Sequence, residues 1–110
     1  MSGNIDAVRS GSGAGDNVAI QGRVTMETSG EMRRALTDAL RKKPASLSVD
    51  LSGVSYIDTS GLATLVEAAR IARKQGTQMT LGGIHDQPRY LIEITHLDRL
   101  LDIAGQEASK

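Results

Sequence analysis

Over most of its length, the chain alternates between segments with the hydrophobic spacing of helices and short segments typical of strands. Apolar residues recur on one helical face in residues 32–40, and again in residues 62–72. Residues 46–51 and 77–81 are predicted as strands, and a further helix follows. An order of helix, strand, helix, strand and helix favours parallel strands joined by right-handed crossovers.

Two weaker strand patterns precede this alternation, in residues 5–9 and 18–24, and the two segments can pair as a hairpin. The Gly/Ser-rich residues 10–17 are predicted to form a flexible loop. We therefore predict a single α/β domain over residues 1–110, with a mixed, mostly parallel sheet of about four to five strands and helices packed on one face. The polar residues 104–110 are predicted to form a frayed tail.

The predicted helices carry start and stop signals. Thr28 and Glu31 have the spacing of a capping box, in which the hydroxyl of the first residue caps the helix. Gly76 follows the second helix and suits its C-terminal end. Asp86 is expected to cap the third helix. Residues 97–103 are a short apolar segment that fits either a strand or a helix.

Composition excludes several classes of function. The chain has 13 basic and 13 acidic residues, so it has no net charge to attract nucleic acid or an anionic membrane. Tyr56 and Tyr90 are its only aromatic residues, which requires an aliphatic core and leaves little for stacking on bases. The lack of Cys excludes disulfides and thiolate-bound zinc. Because no apolar run approaches the roughly 20 residues of a membrane span, we expect a cytoplasmic protein without direct membrane insertion.

The segment Asp58-Thr59-Ser60-Gly61 lies between a predicted strand and the second predicted helix. Asp58 or Thr59 can accept hydrogen bonds from the first free amides of that helix. The Ser60 hydroxyl is expected to project from the end of the sheet, beyond the carboxyl ends of the strands, where α/β proteins place their sites. Such a tetrad is also ordinary helix capping, so by itself it establishes no function.

Phosphorylation of Ser60 would change the chemistry of this helix start. A phosphoryl group adds about −1.5 to −2 charge at pH 7. Helix amides tolerate an anion, but Asp58 would repel it and a bound partner would meet a strongly hydrated group. A phosphate at Ser60 is therefore predicted to abolish a docked interface and to leave the fold intact. No serine-hydrolase motif surrounds Ser60, so no catalytic residue is predicted and a hydrolase is the least favoured hypothesis.

The outward side of the second helix is predicted to extend the partner-binding surface, because its small side chains allow another helix to approach closely. The predicted partner-binding residues are Asp58, Thr59, Ser60, Gly61, Ala63, Thr64, Glu67, Ala68 and Ile71. Ile71 is apolar where solvent is expected. Because alanine is the best helix former, the small residues also have a purely structural interpretation.

Metal and cofactor sites are not predicted. His85 and His96 are the only histidines, eleven positions apart and without a companion motif. Gly82-Gly83 lacks the spacing of a phosphate-binding loop. The basic residues of the first helix are interpreted as a solvated face.

A longer segment around Ser60 resembles a known family signature. It reads Val49-Asp50-Leu51-Ser52-Gly53-Val54-Ser55-Tyr56-Ile57-Asp58-Thr59-Ser60-Gly61-Leu62, and it resembles STAS domains, the bacterial anti-sigma-factor antagonists. The resemblance covers most of the chain from about Gly22. It continues through Ala68, Lys74-Gln75-Gly76, Thr80-Leu81 and Leu97-Asp98-Arg99-Leu100-Leu101.

The resemblance implies a non-catalytic protein that binds an anti-sigma factor, often also a Ser kinase, and thereby releases a sigma factor that turns on its genes. The kinase phosphorylates the Ser that precedes the Gly of the motif, which is Ser60 here, and a phosphatase reverses this. Asp58 and Thr59 match the acidic and hydroxyl residues of the same motif.

The chain departs from the family pattern at two places. Thr25 ends the sequence Gly22-Arg23-Val24-Thr25, where members often carry an acidic residue. Residues 102–110 are short for the usual C-terminal helix. STAS domains also occur in phospholipid ABC transporters, as small subunits that brace the ATPase, and in stressosome-type scaffolds. A transporter subunit and a scaffold component therefore remain alternative functions.

Overall fold

The structure, a computed structural model, describes residues 5–12 and 15–103. Its elements are β1 (Asp6–Ser12), β2 (Gly15–Val24), α1 (Ser29–Arg41), β3 (Ser46–Ile57), α2 (Thr59–Gln75), β4 (Gln78–Gly82), α3 (Asp86–Ile94) and a 3-10 helix (Leu97–Arg99). The four strands form one sheet in the order β1-β2-β3-β4, with β1 antiparallel to β2 and the other neighbours parallel. The predicted mixed, mostly parallel sheet is confirmed.

Helices cover one face of this sheet. In β3, Leu47, Val49 and Leu51 are buried, whereas Ser48 and Asp50 between them are exposed. Successive side chains of a strand point to opposite faces, so this alternation is what a sheet with one covered face requires. The prediction that the helices pack on one face is confirmed.

The core is aliphatic, as the scarcity of aromatic residues predicts. Apart from Pro44 and Pro88, the buried apolar residues of the described ranges are all Ile, Val, Leu, Met or Ala. Tyr90 is 62% exposed, and Tyr56 is half-buried with the Arg23 guanidinium 4.5 Å from its ring centre. Among residues 5–12 and 15–103, no helix is long and apolar enough to cross a membrane.

The apolar face of α1 is confirmed, but the predicted capping box is wrong. The buried residues of α1 are Met32, Leu36, Ala39 and Leu40. Thr28 has a helical backbone conformation, and its side chain caps no amide of α1. Its hydroxyl instead donates to Arg23 O at 2.7 Å and accepts from Thr25 N at 2.9 Å. Because Thr28 is only 2% exposed, its hydroxyl needs these partners in the turn between β2 and α1.

Three strands extend beyond their predicted bounds. Residues 10–12 and 15–17, predicted as a loop, belong to β1 and β2 and pair in register. Residues 53–57, predicted as a connection, complete β3 beside β2, where the register shifts between Ala19 and Gln21. Backbone pairing needs no apolar side chain, and a register irregularity interrupts the alternation of side chains, so neither extension has a clear sequence signal.

The C-terminal segment combines the two alternatives that its sequence left open. After the 3-10 helix, Ile103 forms an isolated parallel bridge with Leu81 of β4. The Leu81 amide donates to Asp102 O at 2.8 Å, which holds this segment against the sheet. The predicted frayed tail, residues 104–110, lies outside the described residues.

The start of α3 differs from the prediction. His85, and not Asp86, is the N-cap residue, and Asp86 is the first helical residue with a φ of +54°. The His85 ring explains the difference: Nε2 lies 2.9 Å from Ser52 O, and Nδ1 lies 3.1 Å from Asp86 Oδ2. Gly76 at the end of α2 has a φ of +86°, as its predicted role requires.

Candidate functional site

The candidate site lies where β3 ends and α2 begins. Asp58 is the N-cap residue between them, in an extended conformation. Its amide donates to Val24 O at 3.0 Å, which ties the site to the end of β2. Because β2 and β3 are parallel neighbours, their carboxyl ends meet at the same edge of the sheet, as predicted for a site of this fold class.

The Asp58 carboxylate organises the site through four hydrogen bonds. Its Oδ1 accepts from Ser60 N at 3.0 Å, Gly61 N at 3.1 Å and Ser60 Oγ at 2.6 Å. Its Oδ2 accepts from Met26 N at 3.0 Å. Desolvation raises the pKa of Asp58, but the bonds from Ser60, Gly61 and Met26 outweigh it and hold the pKa below its ordinary value. Asp58 is therefore an anion at neutral pH.

Gly61 allows α2 to start close to the sheet. A Cβ at this position would lie 2.6 Å from Val24 Cγ1 and 2.7 Å from Ile57 Cγ1. Both distances are too short for real carbon atoms, and both neighbours are buried in the core. The small residue of the motif thus positions the Ser60 hydroxyl at the rim of the sheet.

Ser60 is half-buried at this rim and not enclosed in the core. Its hydroxyl donates to Asp58, and its carbonyl accepts from Thr64 Oγ1 at 3.0 Å. A carboxylate with a lowered pKa is a weak base at pH 7, so Asp58 is poorly suited to activate Ser60 as a nucleophile. A phosphoryl group on Ser60 Oγ would bring two anions into direct contact, because the hydroxyl already touches Asp58.

The structure separates the predicted partner-binding residues of α2 into two groups. Ala63, Glu67 and Ile71 are exposed, as the prediction requires. Thr64 and Ala68, at 2% and 5% exposure, are buried, so the prediction that they lie on the outward side is wrong. The reason is that α2 packs on α1 as well as on the sheet, which widens its buried stripe.

At the start of the site, Thr59 is exposed and Gly61 is buried. Gly61 is therefore covered by other residues of the chain. It is not available to contact a partner, and it affects the surface only through the position that it gives to the start of α2. Between the two helices, Arg33 of α1 forms an ion pair with Glu67. Glu67, although exposed, is thus engaged within the chain.

Met26 is a site residue that sequence reasoning missed. Its side chain is 78% exposed, and its amide bonds to Asp58, 32 positions away. Thr25 shapes the turn that presents it, because Thr25 O accepts from Thr28 N and Ser29 N at 2.9 and 2.7 Å. The one available signal was an apolar residue between the predicted strand 18–24 and the predicted helix start at Thr28, and nothing local pairs it with Ser60.

Comparisons with known proteins agree with this geometry. A family model described as "Mlab, STAS domain" matches residues 8–102. The anti-sigma-B factor antagonist of Listeria monocytogenes is 30% identical over 91 residues, which are 83% of this chain and 80% of that protein. The intermembrane phospholipid transport system binding protein MlaB of Escherichia coli is 31% identical over 83 residues, 76% of this chain and 82% of that protein.

The same architecture occurs in a solved structure. The crystal structure of an anti-sigma factor antagonist from Mycobacterium paratuberculosis superposes with a TM-score of 0.83 at 20% identity, covering 94% of this chain and 87% of that one. Such an identity supports the fold, and the family model supplies the family. Together with the curated relatives, these matches show that the chain belongs to the STAS domain family.

Proposed function

We propose that this chain is an anti-sigma-factor antagonist, a binding module without catalytic activity. It binds an anti-sigma factor that is also a Ser kinase, in the cytoplasm, and thereby releases a sigma factor. Phosphorylation of Ser60 by that kinase ends the interaction, and a phosphatase restores it. The observation that carries the proposal is the 2.6 Å hydrogen bond from Ser60 Oγ to Asp58 at an accessible helix start.

Exposed residues from the turn before α1 and along α2 form the proposed docking surface, which we define as Met26, Thr59, Ser60, Ala63 and Ile71. Met26 and Ile71 supply exposed apolar area at 78% and 36% exposure. Thr59 and Ala63 are exposed and small, so a partner can approach the backbone of α2 closely. Apolar anchors that become buried dominate the energy of most protein interfaces. Here the Met26 amide bonds to the carboxylate that holds the Ser60 hydroxyl, and Ile71 lies about 16 Å further along α2.

A phosphate would oppose docking for two physical reasons. It would stand beside the Asp58 carboxylate, whose pKa is held low by its hydrogen bonds, so both groups carry charge at pH 7. It would also carry its hydration shell into the centre of the docking surface. The first amides of α2 still accept an anion, so the fold is expected to survive the modification.

The test is the affinity for the cognate anti-sigma kinase, measured by calorimetry for wild type, Ser60→Ala and Ser60→Asp. We expect Ser60→Ala to bind like wild type and Ser60→Asp to bind more than about tenfold more weakly, because the charge disrupts a central contact cluster. Ser48→Asp, on the uncovered face of the sheet, is the matched control and keeps its affinity. If Ser60→Asp binds as tightly as wild type, the proposed switch is wrong.

A second candidate function is a small subunit of a phospholipid ABC transporter. It is favoured by the description of the family model and by the 31% identity with MlaB. In this case the same helix start would brace an ATPase. Recovery of an ATPase and a permease with tagged protein would support this function, whereas recovery of a kinase and a sigma factor would support the first.

A further inference from the structure

A concave feature lies towards the C-terminal end of α2, away from Ser60. A hollow of about 380 Å³ opens between this helix, the start of β4 and the segment after the 3-10 helix. Ala72, Met79 and Leu101 line it, and they are 1%, 7% and 4% exposed. The bond from Leu81 N to Asp102 O keeps the C-terminal wall in place. The base of the hollow therefore belongs to the folded core, and its accessible apolar surface comes from Leu100, which is 47% exposed, and from half-buried Ala69.

Two arginines belong to the polar part of this hollow, together with Thr77, Gln78 and Asp102. Arg73 of α2 and Arg99 of the 3-10 helix both line it. Arg70 and Arg73 line an adjoining hollow of about 100 Å³, which shares Ala69 and Leu100 with the first. We call the two spaces together the arginine hollow.

The arginines of this hollow lack acidic partners. Arg33, Arg41 and Arg89 of other surfaces each face a carboxylate, whereas Arg34 of α1 forms no ion pair within the described residues. Within the residues that the structure describes, Arg70, Arg73 and Arg99 form no ion pair, and one acidic residue, Asp102, lines the same space. The helix dipole favours a cation such as Arg73 at the C-terminal end of α2. It does not explain why Arg99, outside α2, lines the same space.

We infer that the arginine hollow binds a small organic anion, whose carboxylate or phosphate pairs with Arg73 and Arg99 and whose apolar body lies on Leu100 and Ala69. The volume is within the usual range for small-molecule sites. The planar guanidinium binds carboxylates and phosphates with two parallel hydrogen bonds. The site goes beyond the proposed function and does not depend on it.

The arginine hollow lies away from Ser60 and Met26, although Ile71 of the docking surface directly follows Arg70 in the sequence. Arg73 follows Ser60 by 13 positions on α2, which corresponds to about 20 Å along the helix. A small anion in the hollow would therefore leave Ser60 accessible to a protein partner. Its binding is measurable without that partner, so failure of one proposal does not imply failure of the other.

Methionine methyl groups report on both places. Met79 lines the hollow, Met26 belongs to the docking surface, and Met32 is buried in α1. The experiment titrates dodecanoate, below its micelle concentration, into the full chain labelled at methionine methyls, and follows their NMR signals. We expect a saturable shift of Met79 without a comparable shift of Met26. Dodecyltrimethylammonium, with the same chain and the opposite charge, is expected to cause no saturable shift.

Variants assign the binding to the arginines. Arg73→Ala and Arg99→Ala are each expected to weaken dodecanoate binding by about tenfold or more, because a charge-assisted hydrogen bond is lost. All three arginine positions used here are exposed, so the variants are expected to fold, which circular dichroism checks. Arg34→Ala on α1 is the matched control and keeps wild-type affinity. The inference is overturned if Met79 does not respond, if the cation binds equally well, or if both variants bind like wild type.

Further ligands separate the sources of the anion. Dodecyl phosphate tests a phosphate head on the same chain, and hexanoate tests a short, water-soluble body. If the twelve-carbon ligands bind more tightly than hexanoate, the site is supported and its ligand is a lipid-derived anion. If hexanoate binds with equal affinity, the site is supported and its ligand is a small metabolite. Inorganic phosphate alone is expected to bind more weakly than either, and equal affinity for it would overturn the role of the ligand's apolar body.

Discussion

Asp58 determines the geometry of the candidate site at the scale of one residue. It caps α2, bonds to the Ser60 hydroxyl and holds the Met26 amide. Its local role as a cap was foreseeable from the sequence. Its bond to Met26 joins positions that only the packing of β2 beside β3 brings together.

Replacement of Asp58 tests the cap and its charge. We expect Asp58→Ala to lower the free energy of unfolding by about 1 kcal/mol at pH 7, because two amides of α2 lose their acceptor. Asp58→Asn keeps an acceptor and is expected to lose less. Urea denaturation at pH 7 measures both values, and an unchanged stability of Asp58→Ala would contradict the capping role.

The charge of Asp58 also makes a pH-dependent contribution. Because the pKa of Asp58 is lowered in the folded state, the carboxylate stabilises the fold above the ordinary Asp pKa of about 3.9. This contribution is lost as the pH falls through the lower folded-state pKa. The stability difference between wild type and Asp58→Asn is therefore expected to shrink in urea denaturation between pH 6 and pH 3. A difference that grows towards low pH would contradict this sign.

At the scale of elements, the contact between α2 and the sheet depends on a missing side chain. Gly61 sits against Val24 and Ile57, so it determines how closely the helix approaches. The spacing of apolar residues predicted that α2 packs on the sheet. The distance of that approach depends on atoms of two strands, and no local pattern reports it.

Gly61→Ala tests this close approach. We expect it to lower the free energy of unfolding by about 1–3 kcal/mol, because the new methyl group overpacks the core. Gly30→Ala is the matched control: its Cβ would meet nothing within 4 Å in α1, so we expect a stabilisation of about 0.4–1 kcal/mol. Thermal unfolding of the two variants is expected to shift in opposite directions, and a tolerated Gly61→Ala would contradict the packing argument.

The contact between α1 and α2 includes a surface ion pair and buried apolar groups. Arg33 and Glu67 are about half exposed, at 50% and 52% of their side-chain areas, so Arg33→Ala is expected to cost less than about 1 kcal/mol. Leu36 is 1% exposed, and Leu36→Ala is expected to cost about 2–5 kcal/mol. Urea denaturation compares the stability of the two variants. A larger loss for Arg33→Ala than for Leu36→Ala would contradict the conclusion that buried apolar groups dominate this contact.

At the scale of the whole molecule, His85 links distant parts of the chain. Its ring joins the start of α3 to Ser52 in β3. Hydrogen bonds to Ser52 O and to Asp86 raise the pKa of His85 above its ordinary value. The protonated ring donates from both nitrogens and fastens α3 to the sheet.

This link predicts a pH dependence of global stability. Because the pKa of His85 is raised in the folded state, its contribution is fully present below the ordinary His pKa of about 6.5 and is lost as the pH rises through the folded-state pKa. We expect the melting temperature of wild type to exceed that of His85→Gln more at pH 5.5 than at pH 8.5. His96→Asn is the control and is expected to keep the pH dependence. The same difference at both pH values would contradict the proposed link.

The sequence by itself determined which segments become helices and strands, the parallel order of the sheet, the aliphatic core and the position of Ser60 at a helix start. These properties follow from the local periodicity of apolar residues and from capping chemistry, which act over a few residues. Only the tertiary structure decided that Thr64 and Ala68 are buried, that Met26 joins the site and that the Thr28 hydroxyl closes a turn. Each of these depends on contacts between separate elements, which form only when the helices pack on the sheet.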